Sequence, residues 1–167
     1  MEACSVVSMT SLTLRSRVAI AAGTSASWAS RRLGRGSGGM IGGKVALKLA
    51  PNLLADLAAH RRSAVVSGTN GKSTTTRLLR AALFAIGEVA SNTNGDNMTP
   101  GITTALMRSH APLAALEVDE MHMPVVSRFV NPQAIVLLNL SRDQLDRVGE
   151  IGAVERRLRK ARSEERR

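Results

Sequence analysis

The stretch at residues 65–76, VVSGTNGKSTTT, combines the residue types that hold a phosphate group. Gly68 and Gly71 permit backbone conformations that a Cβ atom disfavours, so successive N–H groups can point at one anion where a helix begins. Lys72 adds a mobile positive charge for the β- and γ-phosphates, and the hydroxyl of Ser73 is placed to bind Mg²⁺. The spacing is that of a short phosphate-binding loop, G-x-x-G-K-[ST], since a valine stands where the longer pattern has its first glycine.

The neighbouring residues favour a phosphate site over an ordinary strand-to-helix turn with a solvated lysine. A short β-branched apolar run precedes the loop, and the apolar residues after it fall on one helical face: Leu78, Leu79, Ala82, Leu83 and Ile86. Gly87 stands where that helix would end with a left-handed residue. The residues predicted to bind the nucleotide are Gly68, Thr69, Asn70, Gly71, Lys72, Ser73 and Thr74.

The rest of the chain alternates short apolar strands with helices. Strands are predicted at 64–67, 89–91, 113–118 and 134–138, and helices at 73–86 and 102–108. Such an alternation implies a parallel sheet with helices on both faces, so the expected fold is α/β with the phosphate loop at the carboxyl edge of the first strand.

The glycine-rich run at 34–43, GRGSGGMIGG, is expected to be a flexible joint. It closes a basic N-terminal segment, residues 1–43, which precedes the main module at 44–150. Residues 151–167 form a charged C-terminal tail. The sequence therefore predicts one catalytic module with basic flanks.

Glu117 is the first choice for a second Mg²⁺ ligand. It ends the apolar strand in LEVDE, and a carboxylate at the same sheet edge as the phosphate loop supplies the hard oxygen that Mg²⁺ requires. Asp119 and Glu120 follow closely and remain alternatives. Two polar loops, 92–101 and 139–147, also follow apolar strands and are typical of site loops.

The net charge of +10 is concentrated at the two ends of the chain. Residues 1–64 carry 9 Lys or Arg against 2 Asp or Glu, residues 65–150 carry 7 against 8, and residues 151–167 carry 7 against 3. Aromatic residues make up only 2% and no base-reading motif is present, so no nucleic-acid partner is expected. An anionic membrane surface or a pyrophosphate-bearing substrate suits the basic ends better.

The segment at 12–33 mixes four arginines with apolar residues and Trp28. It predicts a helix that packs on the domain or touches a membrane surface. No run approaches the ~20 apolar residues that span a bilayer. The lone Cys4 provides neither a disulfide framework nor a zinc quartet.

Three motifs in this order, GTNGKST, LEVDE and NLSRDQLDR, resemble the central ATPase domain of the Mur ligase superfamily, which forms peptidoglycan precursors and folylpolyglutamates. The segments NTNGDNMTPGIT, LEVDE and RDQLDR are most similar to its MurT subfamily, the Mur-ligase-like subunits of lipid II isoglutaminyl synthase. The resemblance runs from Leu12 to Glu150 and identifies 44–150 as a partial central ATP-binding domain. Most Mur ligases have a histidine where Gln144 stands.

The resemblance implies an ATP- and Mg²⁺-dependent carbon–nitrogen ligase of the cytoplasm, peripheral at the inner face of the bacterial membrane. ATP would phosphorylate the α-carboxylate of D-glutamate in the lipid II stem peptide. Ammonia from a glutamine amidotransferase partner, GatD, would then displace phosphate to give D-isoglutamine. By the same resemblance Ser73 and Glu117 hold Mg²⁺, and the site is shaped by Asn94, Asn97, Asp143, Gln144 and Asp146. Gln144 cannot supply the histidine nitrogen for a second metal.

Members of this family are considerably longer than this chain. The resemblance therefore places the cysteine-ligated zinc ribbon, the catalytic aspartate and the amidotransferase docking surface outside these residues. A non-catalytic nucleotide-binding fragment, unable to amidate lipid II by itself, is one alternative. A folylpolyglutamate synthetase is another, although that group favours glycine where Ser73 stands. Other P-loop nucleoside triphosphatases remain open if Glu117 has no role.

Overall fold

The computed structural model describes residues 12–34, 38–92 and 95–139, together with the helical residues Arg156 and Arg159. The elements of the three ranges are α1 (Leu14–Arg32), α2 (Gly39–Leu49), α3 (Leu53–Ala58), β1 (Arg62–Ser67), α4 (Lys72–Phe84), β2 (Val89–Ala90), α5 (Thr99–Met107), β3 (Leu113–Glu117), α6 (Met123–Val130) and β4 (Ala134–Leu137). The predicted strands and the helices predicted at 12–33, 73–86 and 102–108 overlap observed elements, whereas α2, α3 and α6 were not predicted. Within these ranges no helix combines the length and the apolar character needed to cross a bilayer.

The strands form one parallel sheet in the order β2-β3-β1-β4. Val65 and Leu116, at the centre of β1 and β3, are completely buried, as expected for parallel strands covered on both faces. Val66 of β1 lies opposite Glu117 of β3. This register brings the end of β3 beside the end of β1, and the predicted α/β fold is confirmed.

The two faces of the sheet carry different helices. Alternate residues of a strand point to opposite faces, so Leu116 joins the main core with α3, α5 and α6. Ala115 instead packs with Leu79 and Leu83 of α4. Helices therefore cover both faces, as the alternating pattern predicts.

Helix α4 turns a narrower apolar face to the sheet than the sequence predicts. Leu79 and Leu83 pack against β2 and β3, whereas Leu78 and Ile86 are 67% and 71% exposed. The predicted left-handed stop at Gly87 is also wrong, since its φ is not positive. The helix closes earlier, because the N–H groups of the two residues after Phe84 bond to carbonyls only three residues back.

Helix α1 packs on the domain, as predicted, and its small residues Gly23 and Ser27 lie against α2, whereas Ser16 donates to Asp56 of α3. A Cβ atom at Gly42 would lie 2.0 Å from Ser27 Oγ, and one at Gly43 would lie 1.8 Å from the Pro100 carbonyl oxygen. These glycines allow close helix packing. The expectation of a flexible joint at 34–43 is therefore wrong for its second half, and the predicted boundary at residue 43 falls inside α2.

A buried cation joins the ends of several elements. Arg61 is only 8% exposed, and its guanidinium donates to the carbonyls of Ala111 and Leu106 at 3.0 and 3.2 Å and to those of Leu57 and Ser109. Burial lowers the pKa of Arg61 below its ordinary value. The carbonyl acceptors offset this desolvation, so Arg61 links α3 and α5 to the start of β3.

Candidate functional site

The predicted phosphate loop connects β1 directly to α4. Gly68 has φ 143° and Gly71 has φ 85°, a range in which a Cβ atom is strained. A Cβ at Gly68 would also lie 2.8 Å from Leu138 Cβ. The loop therefore needs glycine at position 68 both for its backbone conformation and for its close approach to the chain after β4.

The start of α4 offers unsatisfied donors. The N–H groups of Lys72, Ser73 and Thr74 lie in its first turn, and no acceptor for them is found in the part of the chain that the structure describes. The positive end of the helix dipole adds to these donors. This is the arrangement that binds phosphate at a helix N-terminus.

Lys72 folds back over its own loop. Its Nζ donates to the carbonyl oxygens of Gly68 and, at 3.1 Å, Thr69. It also forms an ion pair of 3.2 Å with Glu120 Oε1, in which both side chains are only 11% exposed. The cation that would meet a phosphate is thus held by a carboxylate at the rim of the loop.

The predicted metal ligands lie in direct contact. Ser73 Oγ donates to Glu117 Oε2 at 2.8 Å, and Asn97 Nδ2 donates to Glu117 Oε1 at 3.2 Å. Adjacent oxygens of an octahedral Mg²⁺ site with bonds of about 2.1 Å are about 3.0 Å apart. The two side chains therefore fit one Mg²⁺. No cluster of three or more His, Cys, Asp or Glu side chains that could hold a metal occurs within the described ranges.

Asn92 fixes the orientation of Glu117. Its Oδ1 accepts from the Glu117 N–H at 2.9 Å, and its Nδ2 donates to the Glu117 carbonyl at 2.8 Å and to the Asp96 carbonyl at 3.0 Å. The amide of Asn92 is buried, so these bonds are protected from water. The loop at 92–101 therefore positions the acidic residue, although Asn92 itself was not among the predicted site residues.

Asn139 begins the predicted site loop at 139–147, although it was not among the individually predicted site residues, and it braces the phosphate loop. Its carbonyl accepts from the Thr69 N–H at 2.7 Å, and its Oδ1 accepts from the Asn70 N–H at 3.1 Å. It lies two residues after the end of β4, at the same edge of the sheet as Glu117, which ends β3. A polar residue at the carboxyl end of a parallel strand was the sequence signal that could have identified it.

The structure brings together most, but not all, of the predicted site. Gly68 to Ser73, Asn97 and Glu117 surround one corner of the sheet, and Thr74 lies exposed in the first turn of α4. Asn94, Asp143, Gln144 and Asp146 lie outside the described residues. Glu120, which the sequence suggested only as an alternative metal ligand, is the ion-pair partner of Lys72.

Comparison with known families agrees with this geometry. The Mur ligase middle domain matches residues 66–160. The chain belongs to the Mur ligase family. The crystal structure of MurF from Acinetobacter baumannii has the same fold, with a TM-score of 0.60 and 19% identity over 70% of this chain and 27% of that one. The predicted Mur ligase resemblance is confirmed.

Two proteins similar in sequence to this chain are both named as MurT subunits. The lipid II isoglutaminyl synthase (glutamine-hydrolyzing) subunit MurT of Streptococcus pneumoniae is 37% identical over 146 residues, which are 84% of this chain and 32% of that protein. Its counterpart in Staphylococcus aureus strain COL is 39% identical over 128 residues, 74% of this chain and 29% of that protein. The chain thus spans about a third of the length of these relatives.

Proposed function

We propose that this chain binds ATP through Gly68 to Thr74 and holds Mg²⁺ between Ser73 and Glu117. The observation that carries this proposal is the 2.8 Å contact between Ser73 Oγ and Glu117 Oε2, beside N–H groups of α4 for which the described residues offer no acceptor. Those N–H groups and Lys72 would hold the phosphates, and a bound Mg²⁺ would neutralise phosphate charge. Asn92 holds the backbone of Glu117 and Asn97 donates to its carboxylate, so both would help to position this ligand.

We further propose that the bound ATP serves a MurT-type amidation. A carboxylate oxygen of D-glutamate in the lipid II stem peptide would attack the γ-phosphorus, and ADP would leave. Ammonia would then attack the carbonyl carbon of the acyl phosphate, and inorganic phosphate would leave to give D-isoglutamine. The names of the S. pneumoniae and S. aureus relatives support this assignment. The ammonia source would be a glutamine amidotransferase partner, GatD.

In this proposal the polar loops shape the substrate side of the site. Asn97 is in contact with Glu117. The remaining residues proposed to line the substrate side of the site are Asn94, Asp143, Gln144 and Asp146. Gln144 is neutral and binds through amide groups, so its proposed role is hydrogen bonding rather than metal ligation.

The location proposed for this reaction is the inner face of the bacterial membrane, touched from the cytoplasm by α1. Leu14, Val18 and Trp28 lie on the outward side of α1 and are 78%, 56% and 57% exposed. No Asp or Glu occurs between residues 12 and 55. Apolar side chains among arginines and lysines, without acidic residues, suit an interface with anionic lipid.

ATP binding is tested by calorimetry with Lys72→Ala and the matched control Arg77→Ala, an exposed cation on the same helix. We expect Lys72→Ala to weaken ATP binding by at least about tenfold, since it removes a charge-assisted contact, and Arg77→Ala to leave it unchanged. Equal affinities for Lys72→Ala and the parent chain would refute the nucleotide site.

The reaction class needs a different experiment. A chimera in which this whole chain replaces the matching third of the S. pneumoniae relative is supplied with ATP, glutamine, lipid II and GatD. We expect glutamine-dependent amidation that Glu117→Gln abolishes in the chimera. A chimera that binds ATP and GatD normally but forms no isoglutaminyl product would contradict the MurT-type assignment while leaving the nucleotide site intact.

A further inference from the structure

A cavity of about 530 Å³ lies beside the edge strand β2, apart from the phosphate loop. It is bounded by β2 and the residues after it, by α4 and α5, and by the facing ends of α1 and α2. No residue of the phosphate loop lines it. Three arginines on separate elements do: Arg31 from α1, Arg80 from α4 and Arg108 from the end of α5.

The positive charge around this cavity is not balanced. Asp96 is the single acidic residue that the structure places in its lining. The side chains of Arg31 and Arg80 form no hydrogen bond or ion pair with any described residue. Burial lowers the pKa of Arg108, the neighbouring charge of Arg31 lowers it further, and Asp96 opposes the change. Arg31 and Arg108 therefore repel one another, and an anion bound in the cavity that they line with Arg80 would relieve this repulsion.

We propose that this cavity is an anion site that takes a phosphate or pyrophosphate group carrying an organic substituent. Guanidinium groups bind phosphate oxygens in pairs through their planar fork of donors. The cavity is larger than a bare anion needs and lies within the range of about 300–1,000 Å³ typical of small-molecule sites. Arg31, Arg80 and Arg108 would hold the anion, and the rest of the space would receive the attached group.

The same chemistry has two sources, a free nucleotide or pyrophosphate and a lipid-linked pyrophosphate. The lipid-linked source rests on the proposed function, because that substrate carries such a group. The existence of the anion site does not depend on the proposed function. The presence of an anion site and the identity of its ligand are therefore tested in separate experiments.

The anion site is tested with inorganic pyrophosphate, without divalent cations, in the whole chain carrying Lys72→Ala and Glu120→Gln. This pair removes the phosphate-loop cation without leaving its carboxylate unpaired. We expect Arg31→Gln, Arg80→Gln and Arg108→Gln each to weaken pyrophosphate binding by about tenfold, and the control Arg77→Gln, outside the cavity, to change it less than twofold. Absence of binding in the double variant, or equal effects of Arg77→Gln and Arg80→Gln, would overturn the proposal.

The source is tested by titrating three ligands, ADP, inorganic pyrophosphate and detergent-solubilised lipid II, into the parent chain and the Arg80→Gln variant. ATP affinity is measured in both proteins as the control for the phosphate loop. Weaker lipid II binding by Arg80→Gln, with unchanged ATP affinity at the phosphate loop, supports the lipid-linked source. Weaker binding of ADP and pyrophosphate alone supports the anion site and rejects that source. Unchanged binding of all three ligands would reject both. The nucleotide site is tested independently, by the ATP affinity of Lys72→Ala. Its failure can therefore be told apart from failure of the anion site.

Discussion

Ser73 Oγ donates a 2.8 Å hydrogen bond to Glu117 Oε2 across 44 residues of sequence. Ser73 lies in the first turn of α4 and Glu117 is the last residue of β3. The parallel pairing of β1 with β3 brings them together, since Val66, just before the phosphate loop, lies opposite Glu117. Their oxygens are separated as two adjacent Mg²⁺ ligands would be.

Glu117→Gln keeps the shape of the side chain and removes its charge. We expect the Mg²⁺ concentration for half-maximal ATP binding to rise by at least about tenfold, because Mg²⁺ prefers carboxylate oxygen. A Mg²⁺ titration of ATP binding measures this, and Glu88→Gln, an exposed carboxylate before β2, is the control. An unchanged titration would move the ligand to Asp119 or Glu120.

Removal of one partner from the ion pair of Lys72 and Glu120 is expected to lower stability. Lys72→Ala leaves the Glu120 carboxylate at 11% exposure without its cation, which costs about 1–3 kcal/mol. Adding Glu120→Gln should restore part of that loss, since the two effects are coupled. Urea denaturation followed by circular dichroism measures both. Additive losses in the double variant would show that the pair contributes nothing to the folded state.

Glu120→Gln alone is expected to strengthen ATP binding by about two- to fivefold. The substitution releases Lys72 from the carboxylate, so binding of a phosphate no longer competes with an ion pair. Calorimetry without added Mg²⁺ isolates this effect from any role in metal binding. A weaker affinity would indicate that Glu120 supports the bound nucleotide rather than holding Lys72 away from it.

Gly68→Ala is expected to destabilise the chain by about 1–3 kcal/mol and to abolish ATP binding. The reason is that φ 143° is strained for alanine and that the added Cβ would contact Leu138. Gly34→Ala is the matched control, with φ 65° but no atom within 4 Å of the added Cβ. Thermal unfolding and ATP titration are compared for both variants. Equal losses would mean that the positive φ alone, and not the contact with Leu138, sets the requirement.

The outward face of α1 is tested through Trp28, the single tryptophan of the chain. Vesicles of equimolar phosphatidylglycerol and phosphatidylcholine should shift its emission to the blue, and phosphatidylcholine vesicles should not. Combined Leu14→Ser and Val18→Ser should lower partitioning by about tenfold, since two apolar side chains no longer enter the interface. Leu78→Ser, 67% exposed on α4, is the control. Equal partitioning of both variants would refute this membrane contact.

The sequence by itself determined the features that depend on local order. Gly68, Gly71, Lys72 and Ser73 lie between a β-branched run and a helix start, so their spacing alone predicted a phosphate loop. Short apolar strands separated by helices predicted a parallel sheet, and the comparison with MurF confirms the fold. Glu117 was identifiable because parallel strands end at one edge.

Only the tertiary structure decided which distant residues meet. Glu120 pairs with Lys72, and Asn139 bonds to the loop at Thr69 and Asn70, through contacts that depend on strand order and register rather than on local pattern. The role of Gly42 was misread for the same reason. A glycine that permits close helix packing is indistinguishable in sequence from one that permits flexibility, and only the neighbouring Ser27 shows which is needed.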